Sequence, residues 1–199
     1  MDRTERTEKK VQELFHAPAA GNEGSDPEFM RILQRYIFGD VCYTGTLDDR
    51  MRELVTVTVL CTMSALPEQS SLASDDERYS TGLKLQVPVY GDEIKDRYAW
   101  LPGDFAEAVP RFLTELCFGD FTSRSGLDGK TRELLSVVLL AAMGGAEVQV
   151  KSHVYGALKC GCTAEEIVCA LVHAACYMGT PRLFNALNAC KPLLASGQD

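Results

Sequence analysis

The feature that most constrains this chain is an internal repeat. Arg31-Ile32-Leu33 is answered by Arg111-Phe112-Leu113, and Phe38-Gly39-Asp40 by Phe118-Gly119-Asp120. Leu47-Asp48 matches Leu127-Asp128, Arg52-Glu53-Leu54 matches Arg132-Glu133-Leu134, and Met63 matches Met143. The matches keep one register without a gap, which chance similarity rarely does over such a span, so duplication is the expected origin. Each copy reads as a helix, a loop and a longer helix. Asp48 and Asp128 are placed as N-caps, because a carboxylate accepts from the free amides of a first helical turn, and each precedes an apolar-rich run. Val55-Thr56-Val57-Thr58-Val59 alternates like a β-branched strand. Its partner, Leu135-Ser136-Val137-Val138-Leu139, alternates less cleanly, and both are expected to be helical.

After Leu66 the copies diverge. The second continues into Val148–Lys159, closed by Gly161, and then into Ala164–Tyr177, where Thr163 and Glu166 form a capping box. A last helix, Arg182–Leu194, has Pro181 suited to its first position. The expected organisation is a flexible N-terminal arm over 1–26, with a short helix at most through Val11–Phe15. A truncated first repeat over 27–66 and a linker with short helices over 67–104 follow, then a complete unit over 105–195. A half unit cannot bury its apolar face alone and is expected to pack on the complete unit or on another chain.

The net charge of -8 and pI of about 5.0, with scattered Lys and Arg, exclude nucleic acid as an expected partner. The charged start, Met1–Arg6, argues against a signal peptide. The longest apolar runs, near Leu54–Leu66 and Leu134–Ala146, fall short of the roughly 18–20 residues that span a bilayer. No membrane association is expected, and the cytoplasm is the expected location. The eight cysteines lie partly on apolar helix faces and are read as reduced and structural. Cys160-Gly161-Cys162 sits at a helix C-terminus, whose negative potential raises a thiol pKa, and Cys-x-Cys without a second pair predicts no metal site.

Taken together, Arg132-Glu133-Leu134, a long apolar helix, His153 followed by Gly156-Ala157-Leu158 and Gly161, Thr163-x-x-Glu166-Ile167, Tyr177-x-Gly179-x-Pro181-Arg182 and Asn185-Ala186-Leu187 form an ordered set. It resembles the carboxymuconolactone decarboxylase-like family, which shares the alkylhydroperoxidase D-like fold. The resemblance implies an all-α, oligomeric protein, a trimer or a hexamer of identical chains. It implies one of two chemistries, cofactor-free decarboxylation of a small carboxylated lactone or dithiol peroxidase activity. The peroxidase positions, counted back from His153, hold Gln149 and Ala146, neither of which is a thiol. The decarboxylase reading needs groups that hold a small-molecule acid and return a proton to the carbon that loses carbon dioxide. His153 is the candidate acid/base, Glu133 and Gln149 complete the catalytic set, and Arg132, Tyr177 and Arg182 are the candidate substrate-binding residues. Related decarboxylase sequences carry Glu where Gln149 stands. The presence of Arg-Glu in both copies also fits a structural ion pair, and a non-catalytic oligomeric binding protein is the third reading. His173 is read as core or interface, and Trp100 as a packing anchor.

Overall fold

The helix ends follow from local chemistry. In the computed structural model, which describes residues 1–19, 27–61, 77–124 and 126–195, Asp48 and Asp128 accept the amides of Met51 and Thr131, each at 2.8 Å. Helices α3 (Asp49–Cys61) and α7 (Gly129–Met143) start there. The Thr163 hydroxyl accepts the Glu166 amide at 3.1 Å and the Glu166 carboxylate accepts the Thr163 amide at 2.8 Å. This reciprocal cap opens α9 (Ala164–Met178) and contributes about 1 kcal/mol. Helix α10 (Thr180–Leu194) has proline in its first turn. Helix α8 spans Glu147–Lys159, and Gly144, at φ +72°, follows the end of α7. No strand occurs among the described residues, and the protein is all-α. Val55–Val59 lies inside α3, where Arg52, Val55 and Val59 are buried at helical spacing; that burial stripe overrides the alternating sequence. Met63 lies outside the described residues.

Packing groups the chain into two units. The first takes in Met1–Ala65, Leu134–Val154 and Thr163–Asp199. Its core joins Val55 and Val59 of α3 to Val137 and Val138 of α7, Val150 and Val154 of α8, and Ile167 and Leu171 of α9, all buried. Helix α3, in the segment expected to be a half unit, packs on α9. The N-terminal segment expected to be a flexible arm instead forms α1 (Arg3–Phe15), opened by an Asp2/Glu5 capping box. Helix α1 packs on the π-helical segment π1 (Arg35–Asp40) that continues α2 (Pro27–Gln34). The sequence signal was weak because Thr7 and Val11 are the helix's only buried residues among otherwise charged neighbours.

The second unit takes in Leu66–Glu133 and Tyr155–Cys162. The segment read as a linker supplies α4 (Arg78–Tyr90) and the single turn α5 (Ile94–Arg97). Helix α6 (Phe105–Phe112) continues into a second π-helical segment, π2 (Leu113–Thr122), against which α4 packs. Trp100, read as a packing anchor, is 75% exposed; it falls in the turns after α5, outside any helix face.

The Phe-Gly-Asp motif has the same three contacts in both copies. Phe38 meets Phe15 edge-on at 5.6 Å, and Phe118 meets Tyr90 at 5.9 Å. Asp40 pairs with Arg3 at 2.7 Å, and Asp120 pairs with Arg78. Glycine lets the crossing helix come close: a Cβ on Gly39 would lie 2.9 Å from the Arg3 carbonyl, and one on Gly119 would collide with the Arg78 carbonyl. Helix α1 therefore serves π1 as α4 serves π2.

Candidate active-site residues

The two arginines of the repeated Arg-Glu-Leu have the same local partners. Nε donates to the carbonyl five residues back, Leu47 at 3.0 Å for Arg52 and Leu127 at 2.9 Å for Arg132. Nη1 donates eleven back, to Val41 at 3.0 Å and Phe121 at 3.2 Å. Nη2 donates eight back, to Thr44 at 2.8 Å and Arg124 at 2.7 Å. Each guanidinium thus ties the loop before its helix to the helix's first turn, using a fork of donors that a lysine lacks. Carbonyls take donors of Arg132 that a substrate carboxylate would otherwise engage.

Glu133 stands in the second unit with a different partner. Its Oε2 accepts the Tyr90 hydroxyl at 2.5 Å. Burial, and then the Glu133 carboxylate, push the Tyr90 phenol well above its ordinary value, so it stays protonated and remains a donor. Gly156 makes room for this pair, since a Cβ there would lie 2.6 Å from Glu133 Oε2. Cys160, just after the end of α8, has its thiol pushed up by burial and by Glu133 and Asp128. That is the opposite of what a reactive thiolate requires. Cys42, Cys117, Cys160, Cys162, Cys169, Cys176 and Cys190 are in the thiol form and not disulfide-bonded.

In the first unit, Gln149 is exposed and His153 half-buried, both on α8. Arg182 Nη1 donates to the Ala142 carbonyl, one of the carbonyls left open at the end of α7. Beside it is a cavity of only about 10 Å³, which is room for a water rather than a substrate. Tyr177 joins a polar cluster that the sequence did not indicate. His173, 2% exposed, has its Nε2 3.0 Å from the Thr56 hydroxyl, and its ring lies 6.0 Å from that of Tyr177. Burial, with the Arg52 charge adding to it, lowers His173 to about 4. It is neutral at neutral pH, and its buried Nδ1 has no hydrogen-bond partner among the described residues.

Residues 107–192 match the profile of the carboxymuconolactone decarboxylase family. The chain is 33% identical to a nitrosuccinic acid decarboxylase of Metarhizium robertsii over 122 residues, 59% of this chain and 85% of that relative. It is 29% identical to a 4-carboxymuconolactone decarboxylase of Acinetobacter baylyi over 108 residues, 54% of this chain and 80% of that relative. The chain belongs to the carboxymuconolactone decarboxylase family.

The family match contains all six residues singled out from the sequence: Arg132, Glu133, Gln149, His153, Tyr177 and Arg182. Arg132 and Glu133 stand in the second unit, and the other four in the first. Tyr90 and Thr56, which touch Glu133 and His173, lie before the matched region. Neither belongs to a recognisable motif. Tyr90 is the last residue of α4 as Phe15 is of α1, and both aromatic rings meet the motif phenylalanine.

Proposed function

We propose that the protein is a cofactor-free carbon–carbon lyase that decarboxylates a small carboxylated lactone or a related small acid. The observation that carries this reading is that both relatives named for an activity are decarboxylases, and that they match this chain across most of their own length. Their named substrates share a chemistry: a carboxylate attached to a small molecule whose other groups withdraw electrons. Cleavage of that bond releases carbon dioxide and leaves the electron pair on carbon. His153 then supplies the proton, imidazole being the side chain most often used as a general acid. Glu133, the other candidate acid from the sequence, is held by the Tyr90 hydroxyl. Gln149 offers an amide where related decarboxylases offer a carboxyl, so it serves as a hydrogen-bond donor and not as an acid.

The geometry favours Tyr177 for substrate binding over Arg132 and Arg182, whose guanidinium groups already donate to backbone carbonyls. A dithiol peroxidase has no support at Ala146 and Gln149. The protein acts as a homo-oligomer, a trimer in our reading, in the cytoplasm. The exposed Phe105, Phe112, Leu116 and Phe121 of α6 and π2 support self-association, since apolar side chains this numerous on one unit mark contact surfaces.

The test is loss of 4-carboxymuconolactone and of nitrosuccinate, with carbon dioxide release, by the wild type and by His153→Ala. We expect turnover of at least one substrate and a loss of a hundredfold or more in the variant, the scale of general acid–base catalysis. Equal rates in the two proteins would remove His153 from the mechanism. No turnover of either acid by the wild type would overturn the substrate class.

A further inference from the structure

Trp100 is the chain's one tryptophan, and at 75% exposure it stands largely in solvent. Its backbone is nevertheless fixed. The Ala99 amide donates to the Asp96 carbonyl at 3.2 Å, and the Leu101 amide to the Tyr98 carbonyl at 3.0 Å. Trp100 is thus an inner residue of a hydrogen-bonded turn. An indole left in water forgoes one of the largest apolar burials a side chain can supply.

The same unit holds a cleft of about 520 Å³ among α4, α5 and α6. Leu83, Ile94 and Ala106, all partly exposed, give it apolar walls. Ala99 lines it too, whereas Trp100 does not. Its exposed polar lining includes Glu107 and Arg111, and the Arg111 guanidinium lies 5.8 Å from the centre of the Tyr79 ring.

That set suits an indole. Aliphatic walls cover the ring, a carboxylate accepts its N–H, and a guanidinium takes an aromatic face, as Arg111 does with Tyr79. The cleft is also continuous along α6 with the exposed aromatic side chains that support self-association: Phe105 and Phe112 adjoin the lining residues Ala106 and Arg111.

We propose that Trp100 of one chain docks in this cleft of a second copy. The inference rests on the self-association reading above and names its contact. Tryptophan and cleft belong to one unit, so in a closed ring each chain gives one tryptophan and receives one. A turn already fixed in backbone loses little freedom on docking, and tryptophan is among the residues that most often anchor an interface.

The full chain is followed through a dilution series. Sedimentation velocity gives the mass, and the emission of Trp100 with acrylamide quenching gives its surroundings. With one tryptophan in the chain, the emission reports this position alone. In the wild type, association should move the emission to shorter wavelength and reduce quenching. Trp100→Ala, on an exposed turn, should fold normally and associate about tenfold or more weakly. Ala106→Phe, which narrows the cleft and keeps Trp100, should also associate more weakly. Trp100→Ala decides the matter by itself should that variant not fold. An associated wild type whose tryptophan is as open to quencher as in the monomer would overturn this contact and leave self-association standing. So would wild-type affinity in Trp100→Ala. A wild type that stays monomeric throughout would overturn both.

Discussion

Arg52 is 2% exposed, and its guanidinium donates to three carbonyls. His173 shows the opposite solution, giving up its charge instead. Its ordinary value of 6.5 falls to about 4 through burial and the nearby Arg52. Between those values the unfolded chain binds a proton that the folded chain does not, so folding weakens as pH falls. The stability present above pH 6.5 declines through pH 4 by about 3 kcal/mol. Denaturant unfolding across pH 7 to 4 should show this slope in the wild type and a flatter one in His173→Gln. Equal slopes would mean that His173 does not control the acid limb.

Helix crossings depend on single glycines. Alanine in place of glycine ordinarily favours a helix by up to about 1 kcal/mol. At Gly119 the added Cβ would meet the Arg78 backbone carbonyl, and at Gly82 the Thr114 carbonyl, and neither atom can rotate away. Gly119→Ala should therefore lower stability by about 2 kcal/mol, the cost of overpacking a close contact. A chemical denaturation midpoint higher than that of the wild type would show that α4 and π2 are not held by this approach. The cap at Thr163 and the proline after Gly179 were legible because they act within one turn. Tyr90 was not, because its partner Glu133 is 43 residues away along the chain.

The whole molecule uses its N-terminal helix as a structural part. Removing residues 1–16 takes away the Thr7 and Val11 burial, the Phe15–Phe38 contact and the Arg3–Asp40 pair. The melting temperature should drop by about 5 °C or more, read by circular dichroism, and an unchanged transition would mark the helix as dispensable. The caps, the helix stops and the family were readable from residues 27–195, because each is written in spacing along one chain. That Arg132 serves carbonyls, that α3 is covered by α9 and that α1 is built like α4 were decided by the tertiary structure. The reason is physical: a donor's partner and a glycine's neighbour are set by which helices meet, and sequence periodicity specifies the face a helix buries but not the atoms it is buried against.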